Sequence, residues 1–297
     1  MKHDMKAILG EDFFKEEVRS GYLMTTTTKM MMAMQIDLYL IFAEICERHN
    51  LRYFLCFGGL LGAIRHNGFI PWDDDLDVIM PREDYNKFIE IAPSELEEPY
   101  SLQTPYTYPN CLYSIITLRN NMGTFTPKIF KNLDYNKGIP LDIFPLDFCD
   151  PQTYIEDRKK IYEQIMRCST YMKKMCHIDT DKQRNDLLIY DTDNPLEAWE
   201  KLQELASNPN YKNSEYCGIP VIIESMSKSP YFFKVKNFEY AIPHKFENIE
   251  VMIPCGYDEI LTSRYGDYMS LPPEGERGLI NKSLIIDPFT PYKDFKF

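Results

Sequence analysis

The stretch from Phe57 to Met80, FGGLLGAIRHNGFIPWDDDLDVIM, limits what this chain can fold into more than any other part of the sequence. The apolar and aromatic run Arg52 to Phe57 leads into it and predicts a buried strand. At its far end, Asp75 and Asp77 alternate with apolar residues. Residues two apart in a strand face the same side, so both carboxylates are predicted to project into one small volume.

Two carboxylates this close repel each other unless a cation or a proton lies between them. Mg²⁺ is commonly held by one or two carboxylates together with waters and substrate phosphates. Gly58 and Gly59 predict a turn whose backbone N–H groups can approach a phosphate closely. The stretch therefore predicts a phosphate cradle followed by a metal site, the arrangement of phosphoryl or nucleotidyl transfer. The alternative is a plain turn before a solvated acidic loop, which the preceding strand and Trp72 disfavour.

Asp142 is the next informative residue, because it interrupts the apolar run Ile139 to Phe144, IPLDIF. A carboxylate in a core strand is costly unless it is paired or bound to metal. Asp142 is therefore either at an exposed strand position or the third ligand of the site formed by Asp75 and Asp77. Position alone leaves both alternatives open.

The composition excludes several classes of protein. A net charge of −12 argues against general affinity for nucleic acid. No uninterrupted apolar run of about 18 residues predicts a membrane-spanning helix, and the charged N-terminus is unlike a secretory signal. Eight cysteines without a Cys-x-x-Cys pair predict reduced thiols in a cytosolic protein. A zinc site of Cys168, Cys176 and His177 matches no common spacing.

Hydrophobic periodicity and end signals predict a mixed order of helices and strands. The predicted helices are 11–18, 25–49, 81–92, 151–174, 195–206 and 257–265, the last with Gly266 as its C-cap. The predicted strands are 100–103, 113–119, 139–144, 238–242 and 250–253. The polar segment His177 to Asp193 is interpreted as a mobile connection. The sequence pattern changes to helical periodicity near Asp150. This change predicts a catalytic core over 1–150 and a mainly helical region over 151–297 that completes the site on the acceptor side.

Three blocks in this order, GGLLGAIRHNGFIPWDDDLDVIMPREDY, GIPLDIFPLD and PCGYDEILTSRYGDYMSLPP, closely resemble the LicD family of phosphotransferases, which is related to the fukutin proteins. They span Gly58 to Pro273. The resemblance implies an α/β (α+β) fold of the nucleotidyltransferase type shared with DNA polymerase beta. We expect a mixed sheet flanked by helices, with a helical C-terminal extension.

The resemblance also implies an activity. Such enzymes look like Mg²⁺-dependent or Mn²⁺-dependent transferases that move a phospho-alcohol group, such as phosphocholine, from a CDP-activated donor. The acceptor is a sugar hydroxyl of a cell-surface glycan precursor, as in lipopolysaccharide or teichoic acid, and CMP is released. Asp75 and Asp77 match the family's first two metal carboxylates. Asp142 matches the third, which is positioned to act as general base.

Further residues match the family's blocks. Gly58 and Gly59 match the turn that holds the donor phosphates. Arg65 is expected to contact the donor diphosphate, with a salt bridge to Asp73 or Asp74 as the equal alternative. His66 and the Tyr265 to Asp267 block are expected to support the site. Arg277 is expected to reach it from a proline-stiffened loop, but the histidines that commonly follow in the family are missing, which leaves the transferred group open.

Two other readings remain at this stage. A nucleotidyltransferase that attaches a nucleoside monophosphate from a triphosphate would use the same carboxylates. A catalytically inactive scaffold would be expected to have lost some of them, and all three are present. We expect a cytoplasmic protein without a transmembrane segment. Peripheral attachment at the inner face of the membrane, through a lipid-linked acceptor, is left open.

Overall fold

The computed structural model describes residues 1–175, 194–221, 232–278 and 283–297 of the chain. The helices are α1 Met5–Leu9, α2 Thr26–Arg48, α3 Phe57–His66, α4 Arg82–Glu95, α5 Tyr154–Met175, α6 Pro195–Ala206 and α7 Tyr257–Tyr265. The strands are β1 Glu17–Arg19, β2 Tyr22–Met24, β3 Phe54–Leu55, β4 Asp77–Pro81, β5 Tyr100–Gln103, β6 Ile116–Asn120, β7 Thr124–Pro127, β8 Ile139–Phe148, β9 Tyr216–Gly218, β10 Phe232–Lys234, β11 Ala241–Phe246, β12 Ile249–Pro254 and β13 Leu284–Asp287.

The central sheet has seven strands and is mixed, with β8 at its centre. On one edge β8 runs parallel to β4, which pairs antiparallel with β3. On its other edge the first half of β8 pairs antiparallel with β6, which pairs with β5. The end of β8 pairs antiparallel with β9, which pairs with β10. Helices flank this sheet, as the sequence predicts.

Helix α2 covers one side of the sheet and is the largest contributor to the core. Thr25 caps it, with its hydroxyl accepting from the Thr28 N–H at 3.2 Å. The helix packs on β6 and β8, as α4 packs on β4 and β8. Leu141 and Ile143 of β8 are fully buried. Because strand residues alternate sides, Asp142 between them faces away from this apolar layer.

Several predicted elements differ from the observed ones near the N-terminus. The predicted helix over 11–18 is wrong. Helix α1 ends at Leu9, Gly10 takes a positive φ of 83°, and a 3₁₀ turn over Glu11–Phe14 leads into β1. The strand predicted over 52–57 shrinks to β3, because α3 begins at Phe57.

The second half of the chain contributes strands as well as helices. β9 and β10 extend the central sheet, and β13 pairs with β7. The ranges 1–150 and 151–297 therefore share one sheet, and their division into two functional regions stays a prediction. The segment His177 to Asp193 lies outside the described residues, as do Cys176 and His177 of the zinc alternative.

The cysteines and the helices bear on two further expectations. The seven cysteines in the described ranges are free thiols, and all except Cys255 are buried. Within the same ranges, none of the helices combines the length and the apolar character that crossing a bilayer requires.

A buried ion pair joins the start of α4 to the end of β8. Arg82 donates to both carboxylate oxygens of Asp147, from Nε and Nη2, each at 2.7 Å. The two side chains are 14% and 1% exposed. Arg82 also donates from Nη1 to Gln203 of α6 at 2.8 Å. This arginine therefore ties the sheet to two helices.

Removing one partner of this pair is expected to destabilise the fold strongly. In Asp147→Ala the Arg82 guanidinium stays buried without its counter-charge, so we expect the free energy of unfolding to fall by about 3–5 kcal/mol. Urea denaturation followed by circular dichroism measures this. The control is Glu204→Ala, which breaks the exposed Lys201–Glu204 pair on α6 and should cost less than about 1 kcal/mol. Equal losses in the two variants would contradict the prediction.

Candidate active site

Helix α3 presents its N-terminus to the site, but not through the predicted glycine turn. Gly58 and Gly59 both lie inside the first turn of α3, so that part of the prediction is wrong. Phe57 makes the turn instead, with a positive φ of 46°. No side-chain hydrogen bond from the N-cap residue Cys56 closes this end. The N–H groups of a helix's first turn point along the axis and favour anions, so the start of α3 can still offer N–H groups to a phosphate, and that role stays a prediction.

The two glycines make room for different neighbours. A Cβ on Gly58 would lie 2.1 Å from Oδ2 of Asp73, so the aspartate carboxylate rests directly on this glycine. A Cβ on Gly59 would lie 3.0–3.1 Å from side-chain carbons of Leu55 and Leu76, in the core. Gly58 therefore serves the site and Gly59 serves the packing beneath it.

The acidic segment Asp73 to Asp75 lies just before β4. Asp73, Asp74 and Asp75 each offer a carboxylate oxygen, and these oxygens lie within 4.8 Å of one another. Asp77 is the first residue of β4 and is buried. Gln35 of α2 holds the segment by donating to the Asp74 carbonyl at 2.9 Å. The oxygens that lie this close therefore belong to Asp73, Asp74 and Asp75, whereas the predicted metal ligands are Asp75, Asp77 and Asp142.

Asp142 lies beside Asp77, because the two are register partners on the parallel strands β4 and β8. Neighbouring strands are about 4.8 Å apart, so the two side chains project side by side from the same face of the sheet. Thr117, the partner of Asp142 on β6, donates its hydroxyl to Oδ1 of Asp142 at 2.8 Å. This bond orients the carboxyl group and leaves Oδ2 to take another partner.

Burial raises the pKa of every carboxyl group in this cluster. Burial and the neighbouring Asp74 charge raise the pKa of Asp73 to about 7, and burial raises that of Asp74 to about 6. The pKa values of Asp75 and Asp77 lie well above the ordinary value, first through burial and then through neighbouring carboxylates. Burial also raises the pKa of Asp142, against the charge of Arg119 and the Thr117 hydrogen bond. Crowded carboxylates of this kind bind a proton or a metal cation readily.

A cleft of about 790 Å³ opens over these residues. Its floor includes Gly58, Asp73, Asp75 and Asp77. Its walls come from α3, the 70–72 segment, β8, the end of α7 and the loop after it, and they include the aromatic residues Phe57, Trp72, Phe144, Tyr265 and Tyr268. The cleft has room for a nucleotide-sized ligand.

Arg65 lies in the last turn of α3 and lines the cleft, where its side chain binds the loop after α7. Its Nη1 donates to the carbonyls of Tyr268 at 3.1 Å and Ser270 at 3.2 Å, and its Nε donates to Nε2 of His66 at 3.0 Å. The described ion pairs do not include the alternative salt bridge from Arg65 to Asp73 or Asp74. His66 packs edge-on against Trp72, and burial and the Arg65 charge lower its pKa to about 4.

Arg277 lies at the rim, where it stacks on the cleft wall. Its guanidinium is 5.0 Å from the centre of the Trp72 ring. Nε donates to the Pro272 carbonyl at 3.0 Å and Nη1 to the Ser20 carbonyl at 2.8 Å. In the described part of the chain, its neighbours Glu276 and Gly278 line the cleft, whereas Arg277 itself fixes their loop. Its assignment to donor binding stays a prediction.

Sequence reasoning underrated two features of this site. Asp73 and Asp74 are considered above only as alternative partners of Arg65 and not as metal ligands, although the run of three aspartates is visible in the sequence. Thr117 was not singled out, and no local signal marks it. Only the register of β6 against β8 reveals its contact with Asp142.

The raised pKa values predict how the metal-free protein responds to pH. A carboxyl whose folded-state pKa exceeds its unfolded value near 3.8 stabilises the fold at low pH, and that contribution is lost as pH rises through the folded-state pKa. The depressed pKa of His66 acts oppositely, because its stabilisation is lost as pH falls from 6.5 towards 4. Above pH 6.5 the carboxyls dominate. In EDTA we therefore expect Tm to fall between pH 6.5 and pH 8.5, by scanning fluorimetry. The decline should flatten in Asp75→Asn, and a rising Tm in the wild type would contradict the prediction.

The neighbouring glycines predict opposite phenotypes on alanine substitution. Gly58→Ala should push the Asp73 carboxylate out of the site, so we expect ligand binding in the cleft to weaken about tenfold or more with little change in Tm. Gly59→Ala should crowd Leu55 and Leu76 and cost about 1–3 kcal/mol of stability. Calorimetric binding and urea denaturation separate the two effects. A pair of variants with the same phenotype would show that the glycines share one role.

Comparison with known proteins places this segment in a family. Residues 50–121, which carry Gly58, Asp75 and Asp77, match the family model described as LicD/FKTN/FKRP, nucleotidyltransferase domain. The chain is 27% identical over 260 residues to the lipopolysaccharide cholinephosphotransferase LicD of Haemophilus influenzae, covering 80% of this chain and 89% of that protein.

Two shorter similarities cover 68 residues each. They are to uncharacterized proteins of Rickettsia typhi, 38% identical, and Rickettsia prowazekii, 37% identical. Each covers 23% of this chain and less than a third of the relative, 22% and 26% respectively.

Proposed function

Because the chain belongs to the LicD family, we propose that it transfers phosphocholine, or a similar phospho-alcohol, from a CDP-activated donor to a sugar hydroxyl of lipopolysaccharide or a related cell-surface glycan, releasing CMP. One observation carries the proposal. Asp77 and Asp142 lie side by side on β4 and β8, next to a nucleotide-sized cleft that ends at a helix N-terminus.

The residues present fit a divalent cation. Asp75, Asp77 and Asp142 provide carboxylate oxygens, which are the ligands that Mg²⁺ and Mn²⁺ prefer. Burial raises the pKa values of all three, and neighbouring carboxylates raise those of Asp75 and Asp77 further, so a cation would relieve an unfavourable charge cluster. Bound there, it would neutralise charge on the donor diphosphate. Asp73 is the further carboxylate within reach of Asp75.

The chain's own groups would bind the rest of the donor. The first-turn N–H groups of α3 favour anions, and Phe57 and Gly58 of that turn line the cleft where the donor phosphates would bind. Arg65 lies on the same helix and brings a positive charge to the cleft wall. The aromatic side chains Trp72, Tyr265 and Tyr268 offer faces for a base or for a quaternary ammonium group.

Asp142 is the group best placed to take the acceptor's proton. Thr117 holds Oδ1, so Oδ2 can accept from a hydroxyl. The oxygen of that hydroxyl bonds to the phosphorus that carries choline as the bond to the CMP phosphate breaks. The hydroxyl proton passes to Asp142, and CMP leaves with the electron pair. Burial raises the pKa of this carboxyl group, and a raised pKa makes its carboxylate a stronger base for this step.

Calorimetric titration of the purified protein with CDP-choline, CTP and CMP, with and without Mg²⁺, tests the proposal. We expect metal-dependent binding of CDP-choline that Asp75→Ala abolishes or sharply weakens. Product analysis then separates the two enzymatic alternatives, since CMP release marks phosphocholine transfer and pyrophosphate release marks nucleotidyl transfer. If no cytidine nucleotide binds under any metal condition, the donor assignment falls and a scaffold function gains support.

A further inference from the structure

A second pocket, of about 240 Å³, has Asp142 in its lining, which the cleft does not. We call it the Arg119 pocket. It is lined by Tyr113, Arg119, Phe125, Tyr135, Pro140 and Asp142, together with two further apolar residues. Asp77 lines the cleft and its register partner Asp142 lines the Arg119 pocket. The two cavities therefore flank the same pair of carboxylates.

The pocket combines aromatic rings with one fixed cation and one carboxylate. Tyr113 and Tyr135 meet edge to face with ring centres 6.3 Å apart. Arg119 is 4% exposed and is held by bonds from Nε to Gln103 at 3.0 Å and from Nη1 to the Gly138 carbonyl at 2.9 Å. A guanidinium has five N–H donors, so Nη2 keeps donors for a ligand.

Charge and size decide between possible occupants. A phosphate would meet the Asp142 carboxylate, and a trimethylammonium group would meet the Arg119 guanidinium, so neither ion suits the pocket. A neutral polyol suits it, because Arg119 can donate to hydroxyls, Asp142 can accept from them, and aromatic faces pack on the apolar face of a sugar ring. The volume equals that of about eight waters in the liquid. This suits one sugar ring, whereas a nucleotide needs the larger cleft.

We infer that the Arg119 pocket receives the acceptor sugar ring, with the reacting hydroxyl directed at Asp142. The inference rests on the proposed transfer to a sugar hydroxyl and adds where that sugar binds. It places the acceptor against residues between Tyr113 and Asp142, rather than in the 151–297 region that the sequence indicated for it.

Phe125→Ala tests the inference, since Phe125 is a partly exposed lining residue whose ring can be removed without breaking a polar contact. Three quantities are measured: transfer from CDP-choline to methyl glucoside, methyl galactoside and methyl N-acetylgalactosaminide; hydrolysis of CDP-choline without sugar; and binding of CDP-choline and CDP. We expect kcat/KM for the sugar to fall about tenfold, with hydrolysis and nucleotide binding changed less than twofold. Phe289→Ala, at an exposed aromatic outside both cavities, is the control and should change nothing.

Arg119→Lys is the second variant, because it keeps the charge and loses the planar fork. It should also raise the KM for the sugar while the CDP-choline affinity stays unchanged. Weaker binding of CDP-choline with unchanged binding of CDP, in either variant, would put the choline group in this pocket and overturn the inference. Unchanged transfer in both variants would overturn it as well.

The wild-type protein separates this inference from the proposed function. Suppose that it binds CDP-choline in the presence of metal, but that none of the methyl glycosides accepts phosphocholine and none slows the hydrolysis of CDP-choline. The Arg119 pocket then does not bind a sugar ring, whereas the donor assignment survives. If the wild-type protein binds no cytidine nucleotide, the proposed function fails, and the acceptor assignment fails with it.

Discussion

Asp77→Asn is expected to lower the rate of phosphocholine transfer about a thousandfold or more, with metal-dependent binding of CDP-choline lost in parallel. Asp77 is buried, borders the cleft and lies next to Asp142. Asparagine keeps the shape but removes the negative charge that a divalent cation needs. Metal assistance contributes several kcal/mol to phosphoryl transfer, and each 1.36 kcal/mol is tenfold in rate. Steady-state kinetics at several Mg²⁺ concentrations measure the effect.

The neighbouring aspartates make this a graded experiment. If Asp75 and Asp77 hold the cation, Asp75→Asn should match Asp77→Asn, and Asp74→Asn should be milder because Asp74 does not line the cleft in the described structure. Asp134→Asn, at an exposed site, controls for the general loss of one negative charge. If Asp73→Asn abolished metal-dependent binding and Asp77→Asn did not, the cation would lie between Asp73 and Asp75 instead.

Asp142→Asn is expected to reduce transfer by a factor of about 10² to 10⁴ while CDP-choline still binds. That range is typical of the loss of a general base. The asparagine amide can still accept from Thr117 through its oxygen, so the strand geometry should be kept. The measurements are the single-turnover rate of CMP formation and calorimetric binding of CDP-choline, each with Mg²⁺.

The two measurements separate the roles assigned to Asp142. Unchanged nucleotide binding with slow chemistry identifies the general base. A loss of metal-dependent binding as large as that in Asp77→Asn would show that Asp142 acts chiefly as a metal ligand. Thr117→Val provides a matched test of positioning. The Thr117 hydroxyl donates a hydrogen bond that lowers the pKa of Asp142. Removing this hydroxyl should raise that pKa, so the acid limb of the pH–rate profile should move to higher pH.

Local sequence signals singled out the three carboxylates as candidates, and the family resemblance predicted the kind of sheet near which they lie. Asp75, Asp77 and Asp142 each interrupt or alternate with apolar residues, and burial of Leu76, Val78, Leu141 and Ile143 confirms that pattern. The mixed sheet with flanking helices is confirmed too. For Asp77 and Asp142 the signal is the period-two alternation of a strand, whereas Asp75 lies just before β4 and the mixed sheet was expected from the family resemblance.

The parts that sequence reasoning missed depend on contacts between distant segments. Gly58 and Gly59 looked like a turn, but the turn is made by Phe57, whose positive φ nothing in the local sequence announces. The Arg119 pocket gathers β6, β7 and β8 with the segments before β6 and β8, and its composition is visible only once those strands are in register. Propensity reports local preference, whereas such cavities arise from tertiary pairing.

The length of β8 ties the chemistry to the scaffold. Asp142 and Asp147 are five residues apart on this strand and so face opposite sides of the sheet. The ion pair between Arg82 and Asp147 therefore has a second effect besides joining the sheet to two helices. It fixes the register of β8 relative to β4. A slip of one residue would turn the Asp142 side chain into the apolar layer and bring Leu141 or Ile143 next to Asp77. Arg82, on the other side of the sheet, thus helps to keep the proposed proton acceptor Asp142 in place.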